Sequence, residues 1–307
     1  MAILKDLPIN YIERTEKYYL ALGYNNPYMW AHFNDIPFVK LRKPLFDCRI
    51  SLVTTAAPYQ EGKGDQGPGA PYNAKAKFHD VYSMNISENP DVRISHIAID
   101  RDNTTAEDNN TWFPLVQLNR EAAEGRIGSV SDRFHGFPTN RSQRITQKNY
   151  CPDLLQRIKE DGADAVVLVP NCPVCHQSLG MAARYLEQHG IPTVIMGSAK
   201  DIIERVGVPR FLFSDFPLGN SAGKPNDIKS QKHSINFALE LFEAIERPLT
   251  YWSPLVWANN SNWKSDYSNA ENLTPEEILE ARIKFDQTNA ENKNWPINLL
   301  TFSAKTT

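Results

Sequence analysis

The chain has 307 residues, 41% hydrophobic and 22% charged, with a net charge of -3 and an isoelectric point near 6.2. That is globular composition, enough for one large domain or two medium ones. It excludes the basic surface of a nucleic-acid binder, and no stretch approaches the 18 consecutive apolar residues of a membrane span.

The first residues, MAILKDLPINYIERTEKYY, lack the apolar run and small-residue cleavage site of a signal peptide. A cytoplasmic location is expected, where thiols stay reduced and a close cysteine pair points to catalysis or metal binding. An aromatic- and proline-rich start (Tyr18, Tyr19, Tyr24, Tyr28, Trp30, Phe33, Pro37, Phe38) predicts a helix over residues 9–22, stopped near Gly23, within a packed extension. Residues 49–55 (RISLVTT) read as a strand, and 61–71, with four glycines and two prolines, as a loop without regular structure. Residues 92–100 (VRISHIAID) read as a second strand, and 113–124 as a helix closed by Gly125. Next come a helix over 153–160, a continuous apolar strand over 165–169 and a helix over 178–189. A strand over 192–196, a helix over 199–206, a strand over 211–213 and a helix over 235–245 follow. This alternation is the pattern of a doubly wound α/β fold: a mostly parallel sheet with helices on both faces, plus aromatic-rich N-terminal and C-terminal extensions. The expected organisation is an extension over 1–45, an α/β domain over 46–250 and an appendage over 251–307. The appendage carries one helix begun by Thr274-Pro275-Glu276-Glu277. Tryptophans 252, 257, 263 and 295 are expected to pack that appendage or a subunit interface.

Asn171-Cys172-Pro173-Val174-Cys175-His176 follows the apolar strand directly. Open parallel sheets bind ligands beyond the carboxyl ends of their strands. If the next helix begins near Pro173, Cys172 lies at its N-terminus, where unpaired N–H groups and the helix dipole favour a thiolate. Cys175 then lies one turn on, within disulfide reach, and His176 is placed to hold or exchange a proton. Competing readings stay open. Zinc or iron on Cys172, Cys175, His176 and His96 is one, although a closed zinc site needs about four ligands and no second CxxC exists. The C-x-x-C-H haem-attachment pattern is set aside, because that chemistry follows export and a cytoplasmic location is expected. Two packed core cysteines are another, which is also the simplest reading of Cys48 and Cys151.

Several segments together resemble one family. They are PFVKLRKP (37–44), LVTTA (52–56), SHIAID (95–100), AEDNN (106–110), FPL (113–115), EGRIG (124–128), CPVCHQSLG (172–180) and DFPLGNSAGKP (215–225). Over roughly residues 30–235 the chain is similar to component B of the glycine, sarcosine and betaine reductases and to the related D-proline reductase subunit. The resemblance implies a reductase in which Cys172 stands where the family carries a selenocysteine, attacks the carbon bearing an amine, and is resolved by Cys175. It also implies a separate pyruvoyl-bearing partner subunit. The departure is the cysteine itself, a less acidic nucleophile and a poorer leaving group than selenium.

His96, Asp100, Glu107 and Asp108 form a polar cluster after the expected second strand, suited to binding an ammonium group or to acid–base work, or else to capping a helix. Thr54 and Thr55 end the first strand as candidate donors to ligand. Asp215, Gly219 and Asn220 lie in a Pro/Gly loop after another strand, able to present N–H groups to an anion or to form a plain turn. His135 is a further candidate, more often a structural residue.

The expected function is a thiol-dependent oxidoreductase acting on a small polar, amine or amino-acid-like molecule. It needs no cofactor beyond the redox-active dithiol, unless the pair holds a metal. Its partners would be that small-molecule substrate, a thiol or thioredoxin-like reductant, and a partner subunit; a homo-oligomer is expected. The alternatives are a metal-binding, non-redox enzyme and a non-catalytic partner subunit.

Overall fold

The computed structural model describes residues 7–25, 28–67, 70, 73–88, 90–94 and 98–293. Its strands are β1 (Arg49–Thr54), β2 (Ala57–Pro58), β3 (Tyr82–Asn85), β4 (Val92–Arg93), β5 (Ser129–Val130), β6 (Arg133–Gly136), β7 (Ala165–Val169), β8 (Thr193–Gly197), β9 (Arg210–Phe213) and β10 (Leu249–Trp252). Its helices are α1 (Tyr11–Ala21), α2 (Leu115–Ala123), α3 (Gln143–Ile145), α4 (Cys151–Glu160), α5 (Pro173–Gln188), α6 (Lys200–Val206), α7 (Ile228–Ala244) and α8 (Pro275–Lys293). A π-helical segment, Thr146–Tyr150, joins α3 to α4.

One sheet runs in the order β10-β9-β8-β7-β1-β6-β3, with β5 also paired to β1. All its pairings are parallel except β3 with β6. The expected mostly parallel α/β architecture is therefore the observed one. Alternate residues of each central strand face opposite sides. Ile50, Leu52, Val167, Met196 and Leu212 pack with α2 and α7, whereas Val53, Leu168, Ile195 and Phe211 pack with α4, α5 and α6. β7 is buried at all five positions, which explains its unbroken apolar run.

From β1 the chain moves to one side, through α2 to β5 and β6. It then returns across β1 to β7 and steps the other way through β8, β9 and β10. The order thus reverses between β1 and β7, the switch point at which open sheets bind ligands. The step from β9 to β10 continues in the direction of the two steps before it. Yet α7 lies on the opposite face from α5 and α6. That crossover has the opposite hand to the others, against the usual right-handed rule. The segment 214–227 makes it feasible by crossing the carboxyl edge of the sheet. There Asp100 N donates to Leu218 O (3.0 Å), Ala222 N to Thr111 O (2.8 Å) and Ser221 Oγ to Pro170 O (3.0 Å).

Two expectations need correction. The described residues of 92–100 supply no strand of the main sheet. Among the described residues of this stretch only Val92–Arg93 forms a strand, paired antiparallel with β2 in a separate two-stranded ribbon. Polar residues interrupt this stretch, and Asp100 turns away to the 218 loop. The sheet also continues past residue 250, because β10 spans that position and pairs with β9. β3, β5 and β6, which the sequence pattern does not announce, are short and partly polar. Among the described residues no helix is long and apolar enough to cross a membrane.

Candidate functional site

The cysteine turn stands at the switch point. Val169 ends β7, and Cys172 is the N-cap of α5 with Pro173 in its first turn. A residue without a helical backbone conformation followed by proline is a natural helix start, since proline gives up an N–H that the first turn leaves unpaired. Cys172 and Cys175 form a disulfide, their Cα atoms 4.9 Å apart. Cys175 N donates to Cys172 Sγ (3.2 Å), and Thr139 Oγ1 lies 3.1 Å from Cys175 Sγ. Both cysteines are buried, Cys172 at 2% exposure and Cys175 at 0%. Asn171 N donates to Thr55 Oγ1 (3.1 Å), tying the end of β7 to the end of β1. Thr54 Oγ1 instead accepts Ala56 N within its own turn (3.1 Å).

His176 is fully buried. Its Nε2 accepts from Ser198 N (3.0 Å) and Ala199 N (3.2 Å), so the ring proton sits on Nδ1, which donates to Cys172 O (2.8 Å). Burial lowers its pKa to about 4, so the ring is neutral at pH 7. In this arrangement both nitrogens are engaged with backbone, and the imidazole joins the cysteine turn to the loop after β8. Gly197 is required there: a Cβ would approach the His176 ring to 2.9 Å.

The other sequence candidates divide. His96 lies outside the described residues. Asp100 is buried, and its carboxylate accepts from Asn103 N (3.1 Å) and Asn103 Nδ2; burial outweighs these bonds and raises its pKa to about 6. Glu107 is exposed. Asp108 caps the short turn before Trp112 by accepting Asn110 N (3.0 Å). It also accepts Asn226 N (2.8 Å) and Gln231 Nε2 (2.7 Å), hydrogen bonds that hold its pKa below the usual value despite partial burial. The capping role weighed for this cluster is the geometry observed at Asp108. Asp215 pairs with Lys264. Gly219, at φ +102°, presents its carbonyl to Thr111 Oγ1 (3.1 Å). Asn220 is buried, donates to Pro217 O (3.2 Å) and accepts from Thr104 Oγ1 (3.3 Å). The structure thus brings Thr55, Cys172, Cys175 and His176 together. It places Asp108, Gly219 and Asn220 in the hydrogen-bond frame of the crossing loop. His135 belongs elsewhere, between Ser83 Oγ (2.8 Å) and Asp161 Oδ2 (3.0 Å) beside the antiparallel edge.

Sequence reasoning missed three residues at this edge. Asn171, Ser198 and Ser214 each stand just past β7, β8 and β9. All three are buried and carry polar side-chain atoms without a hydrogen-bond partner. Such an atom costs about 1–3 kcal/mol, so a group of them asks for an explanation. The signal available in the sequence was position alone: a small polar residue immediately after a buried strand.

Among the described residues no three His, Cys, Asp or Glu side chains gather as metal ligands. A surface hollow lined by Pro152, Leu155, Lys159 and Tyr185 lies on α4 and α5, away from the cysteine turn.

Comparison with known proteins finds reductase subunits. The chain is 29% identical over 191 residues to the D-proline reductase subunit gamma of Acetoanaerobium sticklandii, covering 62% of this chain and 76% of that one. The chain is thus similar to subunits of the selenoprotein B type from D-proline, glycine and betaine reductases. It is 23% identical over 202 residues to the betaine reductase complex component B subunit beta of Peptoclostridium acidaminophilum, covering 64% of this chain and 46% of that subunit. It is 22% identical over 206 residues to the glycine reductase complex component B subunit gamma of Carboxydothermus hydrogenoformans, covering 66% and 47%. The chain therefore spans about half the length of those two relatives. No family model and no solved structure matches it. These relatives of the reductase family are subunits of multi-component reductases.

Proposed function

We propose that this chain is a thiol-dependent reductase subunit in which Cys172 is the nucleophile and Cys175 the resolving thiol. One observation carries the reading: a cysteine pair whose first member caps the N-terminus of α5 at the switch point of the sheet. A thiolate at Cys172 is favoured by the unpaired N–H groups and dipole of the helix. It attacks the carbon that bears nitrogen in a small polar substrate; the C–S bond forms, the C–N bond breaks, and the amine leaves with a proton. Cys175 thiolate then attacks Cys172 Sγ. The S–S bond forms, the carbon departs with the C–S electron pair and takes up a proton, and the dithiol has supplied two electrons. A small thiol or a thioredoxin-like dithiol restores the pair. His176 acts as a positioning residue that fixes the turn, since its nitrogens are held by backbone groups. The relatives' names make D-proline, betaine and glycine the first amines to assay, with a partner subunit supplied.

The order of roles is tested with an aromatic disulfide reagent on the reduced protein, read by intact mass. Cys175→Ser should retain a stable mixed disulfide on Cys172, whereas the wild type should release both equivalents of aromatic thiol and close its own disulfide. If Cys172→Ser accumulates the adduct on Cys175 as fast as Cys175→Ser does on Cys172, the assignment is wrong.

A further inference from the structure

The second cysteine of the pair has a partner of its own. β6 ends at Gly136, and Phe137 N donates to Thr54 O (2.8 Å), so the chain after β6 stays locked to the end of β1. Asn140 holds the next turn: its Oδ1 accepts from Ser142 N (2.8 Å) and its Nδ2 donates to Tyr150 Oη (3.2 Å). Between them stands Thr139, half-buried, just past β6 at the carboxyl edge. Its Oγ1 lies 3.1 Å from Cys175 Sγ. A disulfide sulfur carries no proton, so the hydroxyl is the donor and the sulfur the acceptor. Among the described residues no other hydrogen bond reaches Cys175 Sγ. Cys175 N donates to Cys172 Sγ, and the His176 ring is engaged with backbone groups.

We propose that Thr139 is a catalytic residue whose hydroxyl stabilises the Cys175 thiolate. The proposal rests on the order of roles above, Cys172 attacking and Cys175 resolving. Cys175 needs such a donor more than Cys172 does. Cys172 caps α5, with unpaired N–H groups and the helix dipole beside its sulfur. Cys175 lies one turn in and is fully buried. Burial without a donor disfavours a thiolate: it pushes Cys48 up to about 11 and Cys151 up to about 12. A hydroxyl that donates to the charged sulfur offsets this effect. Thr139 acts in both directions of the thiol chemistry. In resolution Cys175 thiolate attacks Cys172 Sγ; the S–S bond forms and the C–S electron pair leaves with the carbon. In regeneration a small thiolate attacks Cys172 Sγ; the S–S bond breaks and its electron pair goes to Cys175 Sγ, against the Thr139 hydroxyl. The incoming thiolate is thereby directed to Cys172, because the sulfur that leaves is the one with a donor in place.

Titration of a single thiol tests it. The parent is reduced full-length Cys172→Ala protein, which has neither sulfur nor hydroxyl at position 172 to compete with Thr139. Thiolate formation is read by ultraviolet absorbance against pH. The Cys172→Ala/Cys175→Ala variant is subtracted to remove Cys48, Cys151 and the tyrosines. Adding Thr139→Val should move the Cys175 titration up by about one pH unit, a tenfold loss of thiolate at neutral pH. Thr139→Ser, which keeps the hydroxyl, should titrate within about 0.3 pH unit of the parent. With both cysteines present, dithiothreitol should open the disulfide about threefold more slowly in Thr139→Val than in wild type, because the leaving thiol is less acidic. An unmoved titration in Thr139→Val overturns the proposal, as does a Thr139→Ser titration that matches Thr139→Val. If Thr139→Val does not fold, Thr139→Ala takes its place with the same expected shift and the same overturning result. Failure here is distinct from failure of the order of roles. The titration contains no Cys172, so an unmoved curve removes Thr139 alone and leaves the aromatic-disulfide assay to decide which cysteine attacks. Adducts gathering on Cys175 in that assay overturn the order of roles, and with it the part given to Thr139 in resolution.

Discussion

His176 shows how far one residue can be read from the sequence. Its place beside the cysteine pair follows from the sequence spacing. Its hydrogen bonds to Ser198 N and Ala199 N come from the loop after β8, which the local sequence does not reveal. The consequence is measurable. An unfolded histidine binds its proton near pH 6.5, and folded His176 only near pH 4. Between those values the unfolded state holds more protons, so acid favours it, and the residue's contribution is present above pH 6.5 and lost as pH falls towards 4. About 3 kcal/mol is at stake for a fully buried ring. Urea unfolding at pH 7 and pH 4.5 should therefore show wild type losing its advantage over His176→Gln in acid. Stability curves that stay parallel across that range would rule the linkage out. Cys172 was legible because strand end, proline and helix start are all local signals. Asn171, Ser198 and Ser214 were not, because their unmatched atoms become apparent only once their neighbours are in place.

At the scale of elements, α5 is anchored at the end far from the cysteines. Glu187, in its last turn, is buried and accepts from Val39 N (2.6 Å), Thr193 N (2.5 Å), Thr193 Oγ1 (3.0 Å) and Arg210 Nη1 (2.9 Å). Arg210 opens β9, is equally buried, and lies over the Phe38 ring at 4.2 Å. Removing one partner of such a pair strands a buried charge and costs about 3–5 kcal/mol, whereas replacing both with apolar residues costs far less. Glu187→Ala should thus unfold at much lower urea than the Glu187→Met/Arg210→Met double variant; the reverse order would refute this account of the anchor. The central elements β7, α5, β8, α6 and β9 were readable because a buried parallel strand is continuously apolar and its helices end at glycines. The capping box at α8 was equally readable: Thr274 N donates to Glu277 Oε2 (2.8 Å), and Glu277 N to Thr274 Oγ1 (3.3 Å). The 92–100 segment misled because β-branched residues mark extended backbone without saying which sheet it joins.

Across the whole molecule, residues from the segment 9–30 and from 257–267 pack together against the core. Ile9, Tyr11, Trp30, Trp263 and Tyr267 form one cluster with Ala199, Ile202 and Leu218, and Val174, between the two cysteines, packs against it. Hydrogen bonds fasten it: Ile12 N to Asp201 Oδ2 (2.7 Å), Arg14 Nη1 to Tyr267 O (2.8 Å), and Ala31 N to Gln177 Oε1 on α5 (2.7 Å). The aromatic ends thus cover the α5 terminus that carries the cysteines. Trp30→Ala should lose about 3 kcal/mol, as expected for a large buried side chain. It should also speed reduction of the Cys172–Cys175 disulfide by a water-soluble phosphine. Unchanged reduction kinetics in a destabilised but folded variant would show that the cover does not shield the pair. Trp295, expected in the same packing, lies outside the described residues.

The sequence by itself determined the α/β class, most central elements, the position of the cysteine pair at a helix start, and the resemblance to reductase subunits. Each of these is written in local periodicity, in capping residues or in contiguous motifs. Only the tertiary structure decided which segments join the main sheet, that the last crossover takes the opposite hand, and which polar groups end up matched. Those outcomes depend on pairings between residues far apart in the chain. Asp108 and Asn220 find partners in that way; the side chains of Asn171, Ser198 and Ser214 do not.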